Sequence, residues 1–375
     1  MIDEKQKDEM RKRFLITRRS FLFEGSLIAT AAGLAATLTR GPLARAAEIY
    51  SKNPGSTKPH YYKPGYGGAA VKKLEPREGY FGSTRIVGKV ERTLEAESGF
   101  SRADRGVLGQ EAWEARNIPR LKSPIGDAML KLNGLFTPEN VTDGEVSPVK
   151  LKIPDPERMS QHIKDMTCYL GAHEVGIGIK PEYGLYSYKK PPKPELAKGK
   201  IYGPKVENTH KYVIVFAYDQ DINTICMSGD GYDESGFTSR TPYLMCALIA
   251  VTLAQYIRNM GYPARAHHFT NYQMAIPPML IAAGMGEMCR AGECVLHPRI
   301  GYRHKAAAVT TDLPLAPDSP IEFGVQDFCS VCKKCAENCP AQSIPFGDQV
   351  VHNGYYKWLN DKDKCAIQRS TNTRG

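Results

Sequence analysis

The sequence predicts an α/β core over residues 151–320, followed by a small cysteine-rich unit over residues 321–375. Two observations indicate the core: strand-like apolar runs alternate with helix-like segments, and the longest run has the composition of a buried strand. A third observation, four cysteines within eleven residues, indicates the second unit. Before the core, residues 47–150 are polar and rich in Pro, Gly and Tyr, so we expect an irregular region there.

The first core elements are one helix and three strands. Gln161 to Leu170 is predicted to be a helix, and Glu174 to Ile179 a strand whose glycines share one parity. Tyr212 to Ala217 is a continuous β-branched and aromatic run, which is typical of a buried central strand. Ala306 to Thr310 is a further strand candidate. This alternation of helix and strand is the basis of the predicted α/β class.

Two more helices are predicted from their termini. Thr241 is the expected N-cap and Pro242 the first helical residue of a long helix that ends at Gly261. Its apolar residues recur at helical spacing and form one face: Leu244, Ala247, Leu248, Val251, Ala254 and Ile257. Pro277 to Ala283 is predicted to be a helix that stops at Gly284. The prolines between Lys189 and Pro204 predict a linker or exposed loop.

The net charge excludes one class of partner. The chain has 50 Lys and Arg against 40 Asp and Glu, a formal charge of +10 over 375 residues. Residues 1–46 hold nine basic and five acidic residues, so +4 of that charge lies in the leader. The remaining +6 is unremarkable, and we therefore expect no nucleic-acid partner.

Residues 1–46 are predicted to be a twin-arginine signal peptide. Arg18-Arg19 is followed by Ser20-Phe21-Leu22, a short apolar run from Gly25 to Leu38, and Ala44-Arg45-Ala46 as the cleavage site. A membrane anchor is the alternative, but these fourteen residues fall short of the ~20 apolar residues that span a bilayer. We expect the chain to be exported and to act peripherally at the outer face of the cytoplasmic membrane.

The cysteine run Cys329-x-x-Cys332-x-x-Cys335-x-x-x-Cys339-Pro340 is the bacterial ferredoxin pattern for a [4Fe–4S] cluster. A structural zinc site is the alternative, but such sites usually pair two distant C-x-x-C arms. Two clusters need more ligands than the chain has, because only Cys365 follows the run. Either Cys339 completes a single cluster and Cys365 is free, or the chain has lost a C-terminal end.

In addition to the cysteine run, several other segments make the sequence resemble the corrinoid-dependent respiratory reductive dehalogenases. The twin-arginine leader and a series of segments in order carry this resemblance: 257–262, 283–287, 298–303, 310–315 and 353–358, with Asp363-Lys364-Cys365 at the end. The resemblance implies a nitroreductase-like core that binds a cobamide, then a ferredoxin-type domain with two [4Fe–4S] clusters. A second cysteine motif expected after Cys365 is absent from the sequence, so we expect a truncated copy of uncertain activity.

The resemblance also implies site residues. Tyr243 would donate a proton, Arg303 would lower the pKa of the Tyr243 phenol, and Asn271 would assist. The alternatives are helix packing for Tyr243, a surface salt bridge or replacement by Arg299 for Arg303, and a turn role for Asn271.

The implied corrinoid leaves little trace in the sequence. No D-x-H-x-x-G motif occurs, so a base-off corrinoid without a histidine ligand is implied. Gly284 and Gly286 would allow backbone approach to it, with helix termination as their alternative role.

The implied activity is reductive cleavage of a carbon–halogen bond in an organohalide, with a faint likeness to chlorinated-ethene enzymes. The implied partners are a small integral membrane anchor protein and an electron donor in the membrane. Two other functions remain open: an exported iron–sulfur electron-transfer protein without corrinoid, and an epoxyqueuosine reductase-like enzyme.

Overall fold

The computed structural model describes residues 71–118, 123–227 and 234–372, which all lie in one compact unit. The predicted signal peptide and residues 47–70 of the predicted irregular region lie outside these residues. In the described ranges, no helix combines the length and the apolar character needed to cross a bilayer. The predicted domain boundaries after residues 46, 150 and 320 stay predictions.

The described residues form helices and strands in mixed order. The strands are β1 Lys72–Lys73, β2 Tyr80–Phe81, β3 Thr84–Arg85, β4 Glu174–Ile179, β5 Tyr212–Asp219, β6 Ala264–His267, β7 Glu287–Met288, β8 Val295–Leu296, β9 His304–Thr311, β10 Ile321–Glu322, β11 Val350–His352 and β12 Tyr355–Lys357. The α-helices are α1 Gly99–Asp104, α2 Gln110–Asn117, α3 Pro124–Gly134, α4 Glu139–Thr142, α5 Pro156–Tyr169, α6 Lys193–Leu196, α7 Ile222–Met227, α8 Glu234–Asn259, α9 Ile276–Ala282, α10 Val325–Val331, α11 Lys334–Glu337 and α12 Lys362–Thr371.

The central sheet has four strands in the order β4-β5-β9-β6, and all neighbouring pairs are antiparallel. The apolar run of β5 lies between two partners, and Val213 to Phe216 are fully buried, which confirms the predicted central strand. The predicted alternation of strands and helices holds, but the described strands of this sheet form no parallel pair. Sequence order alone does not determine which strands pair, because long excursions such as residues 180–211 can return a strand in either direction.

Helices cover the sheet. Val213 and Val215 of β5 pack with Met279 and Ile281 of α9 in one buried cluster. Side chains of the other parity, such as Ile214, point to the opposite face, and α8 contacts β5, β6 and β9. The core therefore lies on both faces of the sheet, as the continuous apolar run of β5 requires.

The glycines of β4 are explained by close backbone packing. A Cβ on Gly178 would stand 2.6 Å from the carbonyl carbon of Ala282 and 2.7 Å from its oxygen, at the end of α9. A Cβ on Gly176 would meet the carbonyl oxygen of Ala283. Real side chains do not approach backbone so closely, so these two positions let α9 rest directly on the sheet.

We expect Gly178→Ala to lower the free energy of unfolding by about 3 kcal/mol, because the added methyl forces α9 away from β4. Gly134→Ala is the matched control, since nothing lies within 4 Å of its Cβ position and it ends α3. That control is expected to be neutral or to stabilise by up to ~1 kcal/mol. Urea unfolding measures both, and equal effects would contradict the packing argument.

The long helix begins earlier than its sequence signals predict. It starts at Glu234, so Pro242 lies inside it and Thr241 is not its N-cap, which makes that prediction wrong. Proline at 242 has no N–H for the carbonyl of Thr238. Gln220 supplies the missing donor, because its Nε2 lies 3.2 Å from that carbonyl oxygen. The predicted end is confirmed, since the helix stops at Asn259 and Gly261 has φ +83°.

Two other predicted boundaries differ. The helix predicted from Gln161 begins at Pro156, because Asp155 caps it by accepting a hydrogen bond from the Arg158 N–H at 3.0 Å. The predicted loop from Lys189 to Pro204 is not a free linker. It contains α6, and Leu196 on that helix is 1% exposed. The prolines lack the N–H groups that a regular β-sheet needs, but they do not prevent Leu196 from packing into the core.

The cysteine-rich unit consists of α10 and α11, the β11–β12 hairpin and α12. Its buried cluster joins Val325 and Cys329 of α10 to Trp358, and adds Cys289 and Ala291 from the core. The cysteine run is therefore packed against the loop that follows β7.

Candidate functional site

Tyr243 lies on α8 and faces a stacked aromatic partner. Its ring and that of Phe269 have centroids 4.3 Å apart and planes 26° apart. Burial raises the pKa of the Tyr243 phenol, although the charges of Arg369 and Arg240 act in the opposite direction. The expected lowering of this pKa is therefore wrong for the described chain, because burial outweighs the nearby cations.

A further cation, Lys305 on β9, lies over the ring of Tyr243. Its Nζ lies 5.2 Å from the centroid of the Tyr243 ring. Within the described residues, the Lys305 ammonium has neither a hydrogen bond nor an ion pair. Burial lowers its pKa to about 8, and the charge of Arg369 adds to that effect. A half-buried ammonium without a partner costs stability, which is a pattern found at functional groups.

Arg303, the basic residue predicted for this role, is bound elsewhere. Its Nε and Nη2 donate to the two carboxylate oxygens of Asp219 at 2.8 and 2.7 Å, and Nε also donates to the carbonyl of Gln220 at 2.9 Å. The hydrogen bond with Asp219 raises the pKa of Arg303. The structure shows no contact between Arg303 and Tyr243, so a catalytic role for Arg303 remains a prediction.

Sequence reasoning missed Lys305, although a signal was present. Lys305 opens the apolar run Ala306 to Val309, and lysine is almost never buried without a partner. A lysine at the start of a predicted buried strand is therefore a candidate in its own right. The approximate spacing from Tyr243 did not separate Lys305 from Arg303, which is only two residues away.

The amide oxygen and the amide nitrogen of the Asn271 side chain both have hydrogen-bond partners. Its Oδ1 accepts hydrogen bonds from Lys189 Nζ at 2.7 Å and Arg265 Nη2 at 2.8 Å. Its Nδ2 donates to the Thr137 carbonyl at 2.7 Å and to Thr142 Oγ1 at 3.2 Å. The residue is 3% exposed. These contacts support a structural role, and the assisting role of Asn271 in chemistry remains a prediction.

We expect Asn271→Ala to lower the free energy of unfolding by about 3 kcal/mol, because it removes two buried hydrogen bonds from charged donors, whose remaining carboxylate acceptor is Glu139. Asn259→Ala is the matched control, since its exposed side chain accepts only from Gln255 at 2.8 Å. Thermal unfolding of both variants measures the difference. A stable Asn271→Ala protein with lost activity would instead support the assisting role.

Gly284 and Gly286 serve packing in the structure. Gly284 follows α9 with φ +67°, and a Cβ there would meet the Ser319 carbonyl oxygen. Gly286 has φ +149°, and its Cβ would meet the Leu296 carbonyl oxygen. Backbone of the chain itself occupies these approaches, so helix termination and close packing explain both glycines. Their role toward a corrinoid remains a prediction.

The described chain contains a cavity of about 670 Å³. Its walls are aromatic and apolar with polar groups interspersed, and include Phe81, Leu94, Tyr183, Tyr186, Pro278, Ile281, Met288, Glu293, Tyr355, Lys357 and Asn360. Glu293 precedes Cys294, whose thiol is among the groups that act on the pKa of Lys305. Tyr243 and Lys305 themselves are not among the residues that line this cavity.

Two polar groups on the cavity wall have no partner in the described residues. The Oδ1 atom of Asn360 is buried without a hydrogen bond. Lys357 is 7% exposed and has no hydrogen bond or ion pair there, and burial lowers its pKa. Unpartnered groups of this kind suit a ligand that carries both acceptors and donors at its edge.

The cysteines of the run are free thiols. Cys329 lies on α10, Cys332 follows that helix, Cys335 lies on α11, and Cys339 comes shortly after. In the part of the chain that the structure describes, no three His, Cys, Asp or Glu residues form a group that could hold a metal ion. The fit to an iron–sulfur cluster therefore rests on the chemistry of the donors, which are soft thiols at ferredoxin spacing.

Cys365 is brought close to the end of the run. Burial raises its pKa, and the thiol of Cys339 and a hydrogen bond with Ser343 also act on it. For Cys339, burial raises the pKa, but hydrogen bonds from Ser343 and from the backbone of Ile344 and Ala341 together outweigh this and lower it. The Ser343 Oγ lies 3.3 Å and its N–H nitrogen 3.5 Å from the Cys339 sulfur. Ser343 therefore links the two cysteines, which are 26 positions apart in the sequence.

Comparison with known proteins finds related sequences, although no family model matches the chain. Tetrachloroethene reductive dehalogenase of Dehalobacter restrictus is 32% identical over 292 residues, which make up 66% of this chain and 52% of that protein. The chain therefore spans about half the length of the curated relatives it matches. Relatives of this kind are oxidoreductases.

Solved structures agree with the sequence relatives. A catabolic reductive dehalogenase in complex with 3-bromo-4-hydroxybenzoic acid superposes with a TM-score of 0.72 at 33% identity, over 81% of this chain and 42% of that one. A reductive dehalogenase whose structure suggests a mechanism for B12-dependent dehalogenation superposes with a TM-score of 0.71 at 33% identity, over 80% and 41% of the two chains. The predicted resemblance is confirmed over this region, and neither alternative function is better supported.

Proposed function

We propose that this relative of the reductive dehalogenases removes a halogen from an organohalide with the help of a bound corrinoid. The observation that carries the proposal is the Tyr243–Lys305 pair, in which an unpartnered, half-buried ammonium lies 5.2 Å from the centroid of a tyrosine ring. The relatives support the reaction class, and a cavity of about 670 Å³ elsewhere in the described chain supports a large ligand.

The side chains of the pair supply a proton. A corrinoid, when bound, would supply the electrons that break the carbon–halogen bond. Tyr243 would then give its phenolic proton to the carbon, and the ammonium of Lys305 would stabilise the phenolate that remains. Stacking on Phe269 holds the tyrosine ring in one orientation. Two electrons and one proton convert the organohalide to the hydrogen-substituted product and a halide ion.

The cavity is the proposed site of the corrinoid. Its apolar and aromatic walls suit the faces of a macrocycle, and the buried groups of Lys357 and Asn360 suit the amide and phosphate groups at the edge of a cobamide. We propose the base-off form, because the sequence has no D-x-H-x-x-G motif.

The proposal also includes the two domains and the cysteine ligands of the iron–sulfur clusters. Residues 151–320 would form a nitroreductase-like core, and residues 321–375 a ferredoxin-type domain. Cys329, Cys332 and Cys335 would bind one [4Fe–4S] cluster, and Cys339 with Cys365 would belong to a second cluster whose ligand set this sequence does not complete.

Location and partners are proposed from the leader. Export by the twin-arginine route would place the chain at the outer face of the cytoplasmic membrane. There it would dock on a small integral membrane anchor protein and receive electrons from a donor in the membrane. Chlorinated ethenes are the first substrate class to test, because the relatives are named for them.

Reconstitution tests the proposed function directly. The chain is purified without oxygen, supplied with iron, sulfide and a cobamide, and its cobalt and iron are counted per chain. We expect both metals to bind, and halide to be released from tetrachloroethene in the presence of an artificial reductant. Parallel assays with 3-bromo-4-hydroxybenzoic acid compare the second substrate class. Iron without cobalt would favour the electron-transfer protein.

A further inference from the structure

Arg290 lies in the loop between β7 and β8 and binds only backbone carbonyls of the cysteine-rich unit. The residue is 1% exposed, and no carboxylate pairs with it among the described residues. Its guanidinium donates over distances of 2.5 to 3.2 Å. The acceptors are the carbonyls of Cys329, Ser330, Cys332, Pro345 and Gly347.

Two of these carbonyls end helix α10. The carbonyls of Cys329 and Ser330 lie in its last turn, where no later helical N–H can reach them. Buried carbonyls without a donor cost free energy, and a cation at a helix C-terminus also interacts favourably with its dipole. Arg290 satisfies both requirements from a distant segment of the chain, and therefore determines how α10 ends and where the loop to Cys332 begins.

Trp358 covers the guanidinium on another side. The Arg290 Cζ lies 5.1 Å from the centroid of the indole ring, and Trp358 is 3% exposed. Trp358 also belongs to the buried cluster that contains Cys329. The positive charge is thus held in a dry environment beside the backbone that carries the first two cysteines of the run, where electrostatic effects are strong.

We infer that Arg290 is the positioning residue of the cysteine run. It holds the backbone that carries Cys329 and Cys332, and it places a positive charge beside their thiolates. This inference rests on the proposed iron–sulfur function. Reduction adds negative charge to thiolate-ligated iron and sulfide, so a nearby cation favours the reduced form. The planar shape of the guanidinium positions the backbone, and its charge favours the reduced form, so the two effects can be tested separately.

Two substitutions separate these contributions. Arg290→Lys keeps the charge but loses the planar fork, and Arg290→Gln loses both. The matched control is Arg258→Lys, because Arg258 is equally buried and donates to carbonyls of Val141, Thr142 and Ala264, all outside the cysteine-rich unit. A general effect of losing a buried arginine would appear in all three variants.

The readouts are iron and sulfide per chain after anaerobic reconstitution, the electron paramagnetic resonance spectrum, and the midpoint potential. We expect both Arg290 variants to lose at least half of their iron and sulfide. In Arg290→Gln the remaining centres should favour the oxidised form about tenfold more, a shift of about 59 mV to lower potential for one electron. Arg258→Lys should lower the melting temperature without changing iron content or potential.

Amide hydrogen exchange gives a test that needs no iron. The Cys332 N–H donates to the Phe328 carbonyl at 2.8 Å, and its exchange should be at least tenfold faster in Arg290→Lys but unchanged in Arg258→Lys. If the unaltered chain binds no iron, the proposed iron–sulfur function fails while this test still decides the positioning role. If the Arg290 variants do not fold, Trp358→Leu replaces them, and because the guanidinium loses its cover, the Cys332 N–H should again exchange at least tenfold faster. Unchanged iron content, potential and exchange would overturn the inference.

Discussion

Replacing Tyr243 with phenylalanine is expected to lower the rate of dehalogenation by about 10²- to 10⁴-fold, with cobamide and iron still bound. The substitution removes only the phenolic hydroxyl and keeps the ring stacked on Phe269. It therefore removes the proposed proton donor without opening a cavity. Halide release and metal content per chain, measured on the same preparation, check this result.

The control for Tyr243→Phe lies on the same helix. Tyr256 shares a hydrogen bond of 3.0 Å with His162 Nε2, away from Lys305. Tyr256→Phe should cost about 1 kcal/mol of stability and leave the rate unchanged within a few-fold. Unchanged turnover in Tyr243→Phe would remove Tyr243 from the mechanism.

Replacing Lys305 with methionine is expected to lower the rate by about 10²-fold and to raise stability at the same time. The ammonium of Lys305 has an ordinary pKa of 10.5, which burial lowers to about 8 in the folded chain. The unfolded chain therefore binds this proton more tightly, and at neutral pH the charged group costs about 3 kcal/mol of folding free energy. Methionine fills similar space without charge, so the free energy of unfolding should rise by about 1 to 3 kcal/mol.

The same pKa gives the sign of the pH dependence. Below about pH 8 Lys305 is charged, so its cost to stability is complete and the proposed stabilisation of the phenolate is present. Between about pH 8 and 10.5 the folded chain loses this proton first, so stability recovers and activity falls. In Lys305→Met, both changes with pH should disappear.

Arg303→Gln is the comparison that separates the two basic residues. It removes the ion pair with Asp219 and should cost about 1 kcal/mol, with less than a tenfold loss of rate. Halide release and urea unfolding are measured for both variants. A larger loss of rate in Arg303→Gln than in Lys305→Met would restore the sequence-based prediction and contradict the pair proposed from the geometry.

Elements with strong local signals were predictable. The run from Tyr212 became the central strand, and Gly261 ended the long helix, because composition and backbone conformation act over a few residues. The start of that helix was not predictable in this way. Pro242 normally marks a first turn, and it is tolerated within the helix because Gln220 satisfies the carbonyl that proline leaves free.

The site residues also divide into those that the sequence identified and those that it could not identify. The cysteine run was identified from its spacing and residue type, whereas Tyr243 was implied by the resemblance to the reductive dehalogenases. Lys305 and Arg303 could not be distinguished, because they are two residues apart and differ only in their neighbours: Arg303 meets Asp219, and Lys305 meets an aromatic ring. The positioning role of Arg290 could not be predicted from the sequence, because its acceptors are backbone carbonyls some 40 to 60 residues away along the chain.

The sequence alone therefore determined which chemical groups this protein has and the relatives to which it is similar, because residue identity and order contain that information directly. The tertiary structure decided which cation faces the tyrosine, which asparagine is used up by the scaffold, and which arginine supports the cysteines. Those outcomes depend on distances and on exclusion of water between residues far apart in the chain, and both arise only when the sheet and its covering helices pack together.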